Sequence, residues 1–369
     1  KIDNWSNGIN FCRMKNPNSF YLNIFLYFFR LIKNIFNKIY GTVGPCYSSC
    51  EPEATAMKHS VIDHSRRGNA AAQALAKRLQ RLLKQTPERE ALMYIPTLED
   101  MLAARERIEP YVHRTPIMTS QALNRLTGAE LFFKCENLQK AGAFKARGAA
   151  NAVFGLSDEQ AERGVATHSS GNHGTCLSYA AGRRGIGCTV VMPRTAPQVK
   201  KDAVRGYGGR VIECEPSTTS REAVFAEVMA ETGAEFVHPY NDHRVIAGQA
   251  TCSAELLEQV DNLDAVIAPI GGGGMISGTC LTLSNLAPGL SIYAAEPEQA
   301  DDAFRSFKAG HIIADDAPQT VADGLKVPLK DLTWHFVQRN VTDILTTAEH
   351  EIIDAMRLTW LRLKLVMEP

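Results

Sequence analysis

The chain has 369 residues, of which 45% are hydrophobic and 22% charged, and its 40 basic and 40 acidic residues give a formal net charge of zero. This length and composition predict a globular protein with a large core and two or more subdomains. Because the sequence has no dense basic stripe, it argues against a nucleic-acid-binding protein and favours a small-molecule substrate.

Residues 1–95 are predicted to form an N-terminal extension outside the enzyme body. Residues 1–50 contain six Lys or Arg and a single acid, Asp3. Three of these basic residues interrupt the apolar run at 20–40, which is therefore too short to span a bilayer, since a span needs about 20 apolar residues. The basic, acid-poor composition is compatible with a targeting segment. The alternative interpretation is non-native sequence upstream of a start at Met57.

The ordered enzyme is predicted to begin near Pro96. Thr97 and Asp100 have the spacing of a helix-capping pair. The helix that follows is expected to bury one apolar face, formed by Leu98, Met101, Leu102 and Ile108.

Strand-like and helical patterns alternate along the rest of the chain. The predicted helices include 144–156, 175–184 and 220–232. The predicted strands are 131–135, 164–168, 187–192, 210–214, 264–270 and 291–295. Such alternation is typical of an α/β fold with parallel sheets and helices on both faces.

Most of the nine cysteines lie singly within apolar runs. Examples are Cys135, Cys188, Cys252 and Cys280. We interpret them as small core residues of a protein in a reducing compartment.

Lys145 is the first candidate for chemistry. It lies at the start of the predicted helix, where the helix dipole disfavours a cation by roughly 0.3–1 kcal/mol. An amine that forms a Schiff base needs a lowered pKa, which desolvation or nearby positive charge can provide. The alternative is an ordinary surface lysine, and this stretch alone does not decide between the two.

A glycine loop, Gly271 to Gly274, follows the apolar strand and precedes a helix near Met275. Four glycines allow backbone N–H groups to turn toward one point, where the helix dipole favours an anion. The loop therefore predicts a phosphate site. The alternative is a flexible turn.

The string Ser169-Ser-Gly-Asn-His173 follows another predicted strand. Asn172 could hydrogen-bond a ring hydroxyl, while the serine hydroxyls and helix N–H groups could hold a carboxylate. The alternative is a helix cap followed by a turn, which explains one serine and Gly171 but not the whole string.

Three oxygen donors follow the strand at 291–295: the side chains of Glu296 and Asp302 and the carbonyl of Ala300. Such donors suit a hard divalent cation, Mg²⁺ or Ca²⁺. The alternative is a solvated acidic loop.

Together the segments 139–149, 169–174 and 271–275 resemble the serine racemase and serine/threonine dehydratase family. The resemblance runs from about residue 98 to 369 and implies a fold-type II pyridoxal-phosphate (PLP) enzyme with its cofactor in a cleft between two subdomains. It implies a large domain formed by 96–163 and 239–369, incomplete at its C-terminus, and a small domain formed by 164–238. We expect a cytoplasmic homodimer that acts on small hydroxyamino acids.

The resemblance also implies residue roles. Lys145 would hold PLP covalently and serve as one acid/base, with Ser170 as the second. Asn172 would contact the ring hydroxyl, and the metal site would be Glu296, Ala300 and Asp302. The implied cofactor contacts are Phe144, Lys145, Asn172, Gly271, Gly272, Gly273, Gly274 and Met275.

An activating ATP is a further implication of the resemblance. Its contacts would be Ser120, Lys140, Tyr207 and Lys364. Ala141 and Thr175 depart from the family pattern, in which Thr and Gln are expected. The family's pyridine-nitrogen partner, a serine beyond the Glu-Pro at 368–369, is not part of this sequence.

Three functions remain open on the sequence. The leading one is serine racemase with L-serine or L-threonine ammonia-lyase activity. The second is a threonine or 3-hydroxyaspartate dehydratase without racemase activity. The third is a catalytically silent fragment of the fold.

Overall fold

The computed structural model of the chain describes residues 93–314 and 318–369. The hypotheses about residues 1–50 and a start at Met57 therefore lie outside the described residues. Within the described residues, no helix combines the length and apolar character needed to cross a membrane.

Two parallel sheets dominate the structure, as the sequence predicted. The strands are β1 Ile117–Met118, β2 Phe133–Lys134, β3 Val165–His168, β4 Cys188–Pro193, β5 Arg210–Cys214, β6 Glu235–Phe236, β7 Ala265–Pro269, β8 Ser291–Pro297 and β9 Asp343–Thr347. One parallel sheet has the order β5-β4-β3-β6 and the other β7-β8-β9, and all their neighbouring strands run parallel.

The predicted strand at 131–135 was too long, and it does not join either parallel sheet. Only β2 is extended, and it pairs antiparallel with β1. The chain leaves this ribbon at Cys135 because Glu136–Leu138 forms a 3₁₀ turn. The other predicted strands are confirmed to within two residues at each end.

Helices cover both sheets. They are α1 Leu98–Ile108, α2 Gln121–Thr127, α3 Lys145–Phe154, α4 Asp158–Arg163, α5 Asn172–Arg184, α6 Gln198–Gly206, α7 Thr218–Thr232, α8 His243–Gln259, α9 Gly274–Leu286, α10 Asp302–Ala309, α11 Asp331–Asn340 and α12 Glu349–Leu363.

The first helix, α1, begins at the predicted cap. Thr97 and Asp100 form a reciprocal capping box. Met101 and Ile108 are buried, but Leu102 is 46% exposed, so its assignment to the buried face was wrong. The buried positions 101, 104 and 108 follow the helical period, which directs position 102 toward solvent.

Helices α3 and α8 pack unusually closely, and this packing positions Lys145. A Cβ atom on Gly248 would lie 2.6 Å from the carbonyl oxygen of Arg147, and one on Gly148 would lie 2.7 Å from the carbonyl oxygen of Val245. Asn151 adds a hydrogen bond from its Nδ2 to the Arg244 carbonyl at 2.7 Å. The start of α3 is therefore held against α8 by backbone contact.

All cysteines in the part of the chain that the structure describes are free and buried, as predicted. They include Cys135, Cys188, Cys252 and Cys280. Burial raises the pKa of the Cys280 thiol to about 12, which keeps it protonated and unreactive.

Candidate active site

Lys145 is the first residue of α3 and is half-buried. Its Nζ donates a hydrogen bond to the Pro239 carbonyl at 2.8 Å and lies 5.1 Å from the centre of the Phe144 ring. Burial lowers the pKa of Lys145 to about 8. The neutral amine, which is the nucleophilic form, is therefore populated at a lower pH than in an exposed lysine.

The loop before Lys145 is fixed by the buried side chain of Gln139. Its Oε1 accepts hydrogen bonds from the N–H groups of His113 at 2.7 Å and Lys140 at 2.8 Å, and its Nε2 donates to the His113 carbonyl at 2.7 Å. Ala141 then adopts a left-handed backbone, with φ of 55°. A non-glycine residue in that region is strained, so the surrounding contacts must hold this loop in place.

Arg147, two residues after Lys145, is fully buried between two carboxylates. Its guanidinium donates to Glu136 at 2.8 and 2.9 Å and to Glu255 at 2.7 and 2.9 Å. Burial opposes the charge on Arg147, but hydrogen bonds with Glu136 and Glu255 outweigh it and raise the Arg147 pKa above its ordinary value. This pairing ties α3 to α8 and to the turn that follows β2.

The loop from Ser169 to Gly171 joins the carboxyl end of β3 to α5. Ser169 Oγ accepts a hydrogen bond from the Gly171 N–H at 3.3 Å. Gly171 is the N-cap and no side chain caps the helix. Ser170 is exposed, and its hydroxyl makes no hydrogen bond to the described residues. The interpretation of Ser170 as a helix cap is therefore wrong.

Asn172 and His173 form the first turn of α5. Asn172 Nδ2 donates to the Glu368 carboxylate at 2.6 Å. His173 is buried, and its Nε2 lies 3.0 Å from the Val237 carbonyl. Burial, reinforced by the charge of Lys145, lowers the pKa of His173 to about 3. His173 is therefore neutral, and its first turn lies within electrostatic reach of Lys145.

The glycine loop follows β7 and leads into α9. Gly271 and Gly273 have positive φ values of 44° and 88°, which side-chain-bearing residues rarely adopt. A Cβ atom on Gly272 would lie 2.6 Å from the Tyr240 ring, and one on Gly273 would lie 2.7 Å from both Leu329 and Thr333. The loop is a tightly packed turn at a helix N-terminus rather than a loose linker, as an anion cradle requires.

The predicted metal ligands are brought together in a buried setting. Glu296, Ala300 and Asp302 are all buried, and Glu296 accepts a hydrogen bond from the Phe304 N–H at 2.6 Å. Burial, with help from the charges of Asp302 and Asp301, raises the pKa of Glu296 to about 8. In residues 93–314 and 318–369, no cluster of three or more His, Cys, Asp or Glu side chains has metal-binding geometry, so a cation here would also use carbonyl or water oxygens.

The four candidate nucleotide contacts have ordinary local roles. Ser120 is buried and accepts a hydrogen bond from the Leu123 N–H at 3.4 Å, which caps α2. Lys140 lies in the loop before Lys145, and Tyr207 is 40% exposed beside the ring of Tyr179. Lys364 is exposed and ends α12 in a left-handed conformation.

The segment at 237–240 contacts all three parts of the candidate site: Pro239 accepts the hydrogen bond of Lys145, Val237 lies against His173 in the first turn of α5, and Tyr240 packs on Gly272 of the glycine loop. Residues 108–369 match the family described as pyridoxal-phosphate dependent enzymes. The chain belongs to this family.

Two relatives refine the comparison. A β-hydroxyaspartate dehydratase of Paracoccus denitrificans (strain Pd 1222) is 74% identical over 277 residues, which cover 75% of this chain and 88% of the relative. A serine racemase of Arabidopsis thaliana is 50% identical over 276 residues, covering 75% and 83%. The solved structure of maize serine racemase is similar with a TM-score of 0.74 and 47% identity, and covers 75% of this chain and 84% of that one. The fold is therefore that of fold-type II PLP enzymes.

The candidate site also contains residues that the sequence did not identify. Tyr240 packs on Gly272, and His238 lies beside it with ring centres 4.7 Å apart. His168, at the end of β3, is 6.1 Å from His238. Tyr240 and His238 lie in the run from 235 to 243, which has three histidine or tyrosine side chains close to a proline and no regular period, and His168 was visible only as the last residue of a predicted strand.

We predict that Arg147→Met destabilises the fold by about 3–5 kcal/mol, because it leaves Glu136 without its buried cation and Glu255 with Lys134 alone. Urea denaturation of the protein would measure the loss. The matched control is Arg163→Met, since Arg163 is 37% exposed and pairs with Glu159 and Glu235 at the surface. The control should cost no more than about 1 kcal/mol. Equal losses for the two variants would contradict a special role for the buried pairing.

Proposed function

We propose that this PLP-dependent enzyme acts on small hydroxyamino acids, as a serine racemase and L-serine or L-threonine ammonia-lyase. The observation that carries the proposal is the Lys145 amine. Burial lowers its pKa to about 8, it begins a helix, and the segment that accepts its hydrogen bond at Pro239 also contacts His173 of α5 through Val237 and Gly272 through Tyr240.

The residues present fit PLP. A turn whose glycines admit no Cβ atom, at the N-terminus of α9, suits a phosphate group. In this proposal Gly271 to Gly274 and Met275 bind the phosphate, Asn172 and Phe144 contact the ring, and Lys145 binds the aldehyde carbon. When bound, PLP supplies an electron sink that stabilises negative charge on the substrate α-carbon.

In the proposed mechanism, Lys145 moves a proton at the α-carbon. Its lowered pKa permits it to act as a base near neutral pH. Loss of the β-hydroxyl after proton removal gives the lyase reaction, and return of a proton on the opposite face gives the racemase reaction. Ser170 is the proposed proton donor on that opposite face, and its hydroxyl makes no hydrogen bond to the described residues that would occupy it.

A second candidate function is a 3-hydroxyaspartate dehydratase. It is favoured by one observation, the 74% identity to the Paracoccus dehydratase against 50% to the Arabidopsis racemase. Both functions use the same proton removal by Lys145. They differ in the group attached to the substrate β-carbon.

We further propose a divalent cation at Glu296, Ala300 and Asp302, and a cytoplasmic homodimer. The free, buried cysteines support the proposed cytoplasmic location, and the burial of Glu296 and Asp302 supports the proposed cation site. ATP remains a proposed activator at Ser120, Lys140, Tyr207 and Lys364.

We predict that Lys145→Ala abolishes turnover and the borohydride-reducible PLP adduct, because no other amine occupies the start of α3. Peptide mass mapping of the reduced wild type should locate the adduct on Lys145. Lys326→Ala, which changes an exposed lysine, should keep both the adduct and turnover. An adduct that persists at another lysine in Lys145→Ala would refute the assignment.

Ser170→Ala should suppress racemisation by about a hundredfold or more, the usual contribution of a general acid or base. The rate of β-elimination should fall much less, since that reaction needs proton transfer only on the face of the α-carbon that Lys145 contacts. The measurement is the ratio of D-serine to pyruvate formed from L-serine. Ser169→Ala is the control, because Ser169 accepts a backbone hydrogen bond. A parallel loss of both products in Ser170→Ala would argue against two bases.

Mg²⁺ or Ca²⁺ should raise the melting temperature, and the rise should be larger at pH 8.5 than at pH 6.5. Without a cation, the raised pKa of Glu296 gives stability that is present below about pH 4.5 and lost as the pH rises through about 8. A cation replaces the proton, so its effect grows as the carboxyl ionises. Thermal scans with cation or EDTA test this, with Glu296→Gln as variant and the exposed Glu298→Gln as control. Identical melting temperatures with and without EDTA would contradict the proposed cation site.

A further inference from the structure

Two cationic side chains near the candidate active site have no part in the proposed proton transfers. Lys330 is exposed and immediately precedes α11. Arg221 lies in the first turn of α7 and lines a cleft with Thr195 and Ser217. Neither cation forms an ion pair with a carboxylate in 93–314 or 318–369. Both are therefore available to an anion from solution.

Lys330 is placed beside the glycine loop by its neighbours. Leu329 and Thr333 fill the space around Gly273, since a Cβ atom there would lie 2.7 Å from each of them. The Lys330 N–H donates to Thr333 Oγ1 at 3.1 Å, which fixes the backbone at the start of α11. The Lys330 side chain therefore starts from a rigid point next to the proposed phosphate cradle.

The neighbouring rings of His238 and His168 both lie within electrostatic reach of Lys330. His238 contacts Tyr240, which packs on Gly272, and its ring centre is 6.1 Å from that of His168. Burial, with the charges of His168, Lys330 and Lys145 as further causes, lowers the pKa of His238 to about 3. His238 thus lies within reach of both ammonium groups.

His238 is a neutral hydrogen-bond donor in this position. Its Nδ1 accepts hydrogen bonds from the N–H groups of Tyr240 at 3.3 Å and Asn241 at 2.9 Å. A neutral imidazole with Nδ1 as acceptor carries its proton on Nε2. A group bound between Lys330 and His238 would therefore meet one full positive charge and one neutral N–H donor.

We infer that Lys330 binds the β-carboxylate of the substrate and makes the enzyme selective for an amino dicarboxylate, 3-hydroxyaspartate, over serine. The inference rests on the proposed elimination at Lys145. Serine and threonine carry no anion on the β-carbon, so the charge of Lys330 would give them no advantage. A carboxylate placed there would gain a charge-assisted hydrogen bond from Lys330.

Kinetics of Lys330→Met test the selectivity. The ratio of kcat/KM for 3-hydroxyaspartate to kcat/KM for L-serine should fall by about tenfold to a hundredfold, the usual range for a lost hydrogen bond to a charged group. Lys330→Arg should keep most of the ratio because it keeps the charge. The matched control is Lys326→Met, four residues earlier and also exposed, which should leave the ratio unchanged. An unchanged ratio in Lys330→Met would overturn the inference.

Binding of substrate analogues without a β-hydroxyl gives a second readout that needs no turnover. L-Aspartate and L-alanine can be titrated into the PLP-loaded enzyme and followed by the change in cofactor absorbance. The wild type should prefer aspartate, and added salt should weaken aspartate binding more than alanine binding. Lys330→Met should lose the preference and its salt dependence.

The two readouts separate failure of this inference from failure of the proposed function. If the wild type turns over neither serine nor 3-hydroxyaspartate, the proposed elimination is wrong, while the aspartate-to-alanine comparison still decides the role of Lys330. If the wild type eliminates water from serine and binds aspartate no better than alanine, the proposed function stands and Lys330 is an ordinary surface lysine.

Discussion

The candidate active site depends on the buried pairing of Arg147 with Glu136 and Glu255. Arg147 has no exposed side-chain surface, and each carboxylate is at most 13% exposed. Lys134 adds a second cation to Glu255 at 2.6 Å. Burial opposes the ionised form of Glu255, but the hydrogen bonds and charges of Arg147 and Lys134 together outweigh it, so the Glu255 pKa is lowered. Since α3 begins only two residues before Arg147, this network fixes the rotation and depth of the helix that presents Lys145.

A second constraint acts from the side of α8. The approach of Gly148 and Gly248 leaves no space for a Cβ atom, so α3 and α8 meet backbone to backbone. The segment before α8 then passes directly in front of Lys145, where the Pro239 carbonyl accepts its hydrogen bond. The same segment supplies Tyr240 to the glycine loop. The segment at 237–241 thus contacts both the Lys145 amine and the proposed phosphate cradle. It can approach both because Gly148 and Gly248 have no side chains between the helices and Gly272 has none beside Tyr240.

The parts of the site that depend on local sequence could be predicted, and the parts that depend on distant contacts could not. Lys145 at the start of a helix and the glycine loop after a strand were visible as short patterns. The 131–135 strand was overextended because its apolar run does not reveal that the chain turns at Glu136. The partner of Arg147, Glu255, is 108 residues away, and the acceptor for Lys145 is 94 residues away. Neither has a spacing or period that could have identified it, because both come together only when α3 packs against α8.

The electrostatics of the cleft follow from this packing. Three histidines approach the site, yet His173 and His238 are held neutral, with pKa values lowered to about 3 by burial and by nearby positive charge. Burial likewise lowers the pKa of His168, assisted by the charges of Arg221 and Lys330. The positive charge offered to an anionic substrate is therefore not that of imidazolium groups, and the cationic side chains that act on these rings besides Lys145 are Lys330 and Arg221. The pH dependence of turnover near neutrality should consequently arise at Lys145, whose pKa burial lowers to about 8, and not at the buried histidines.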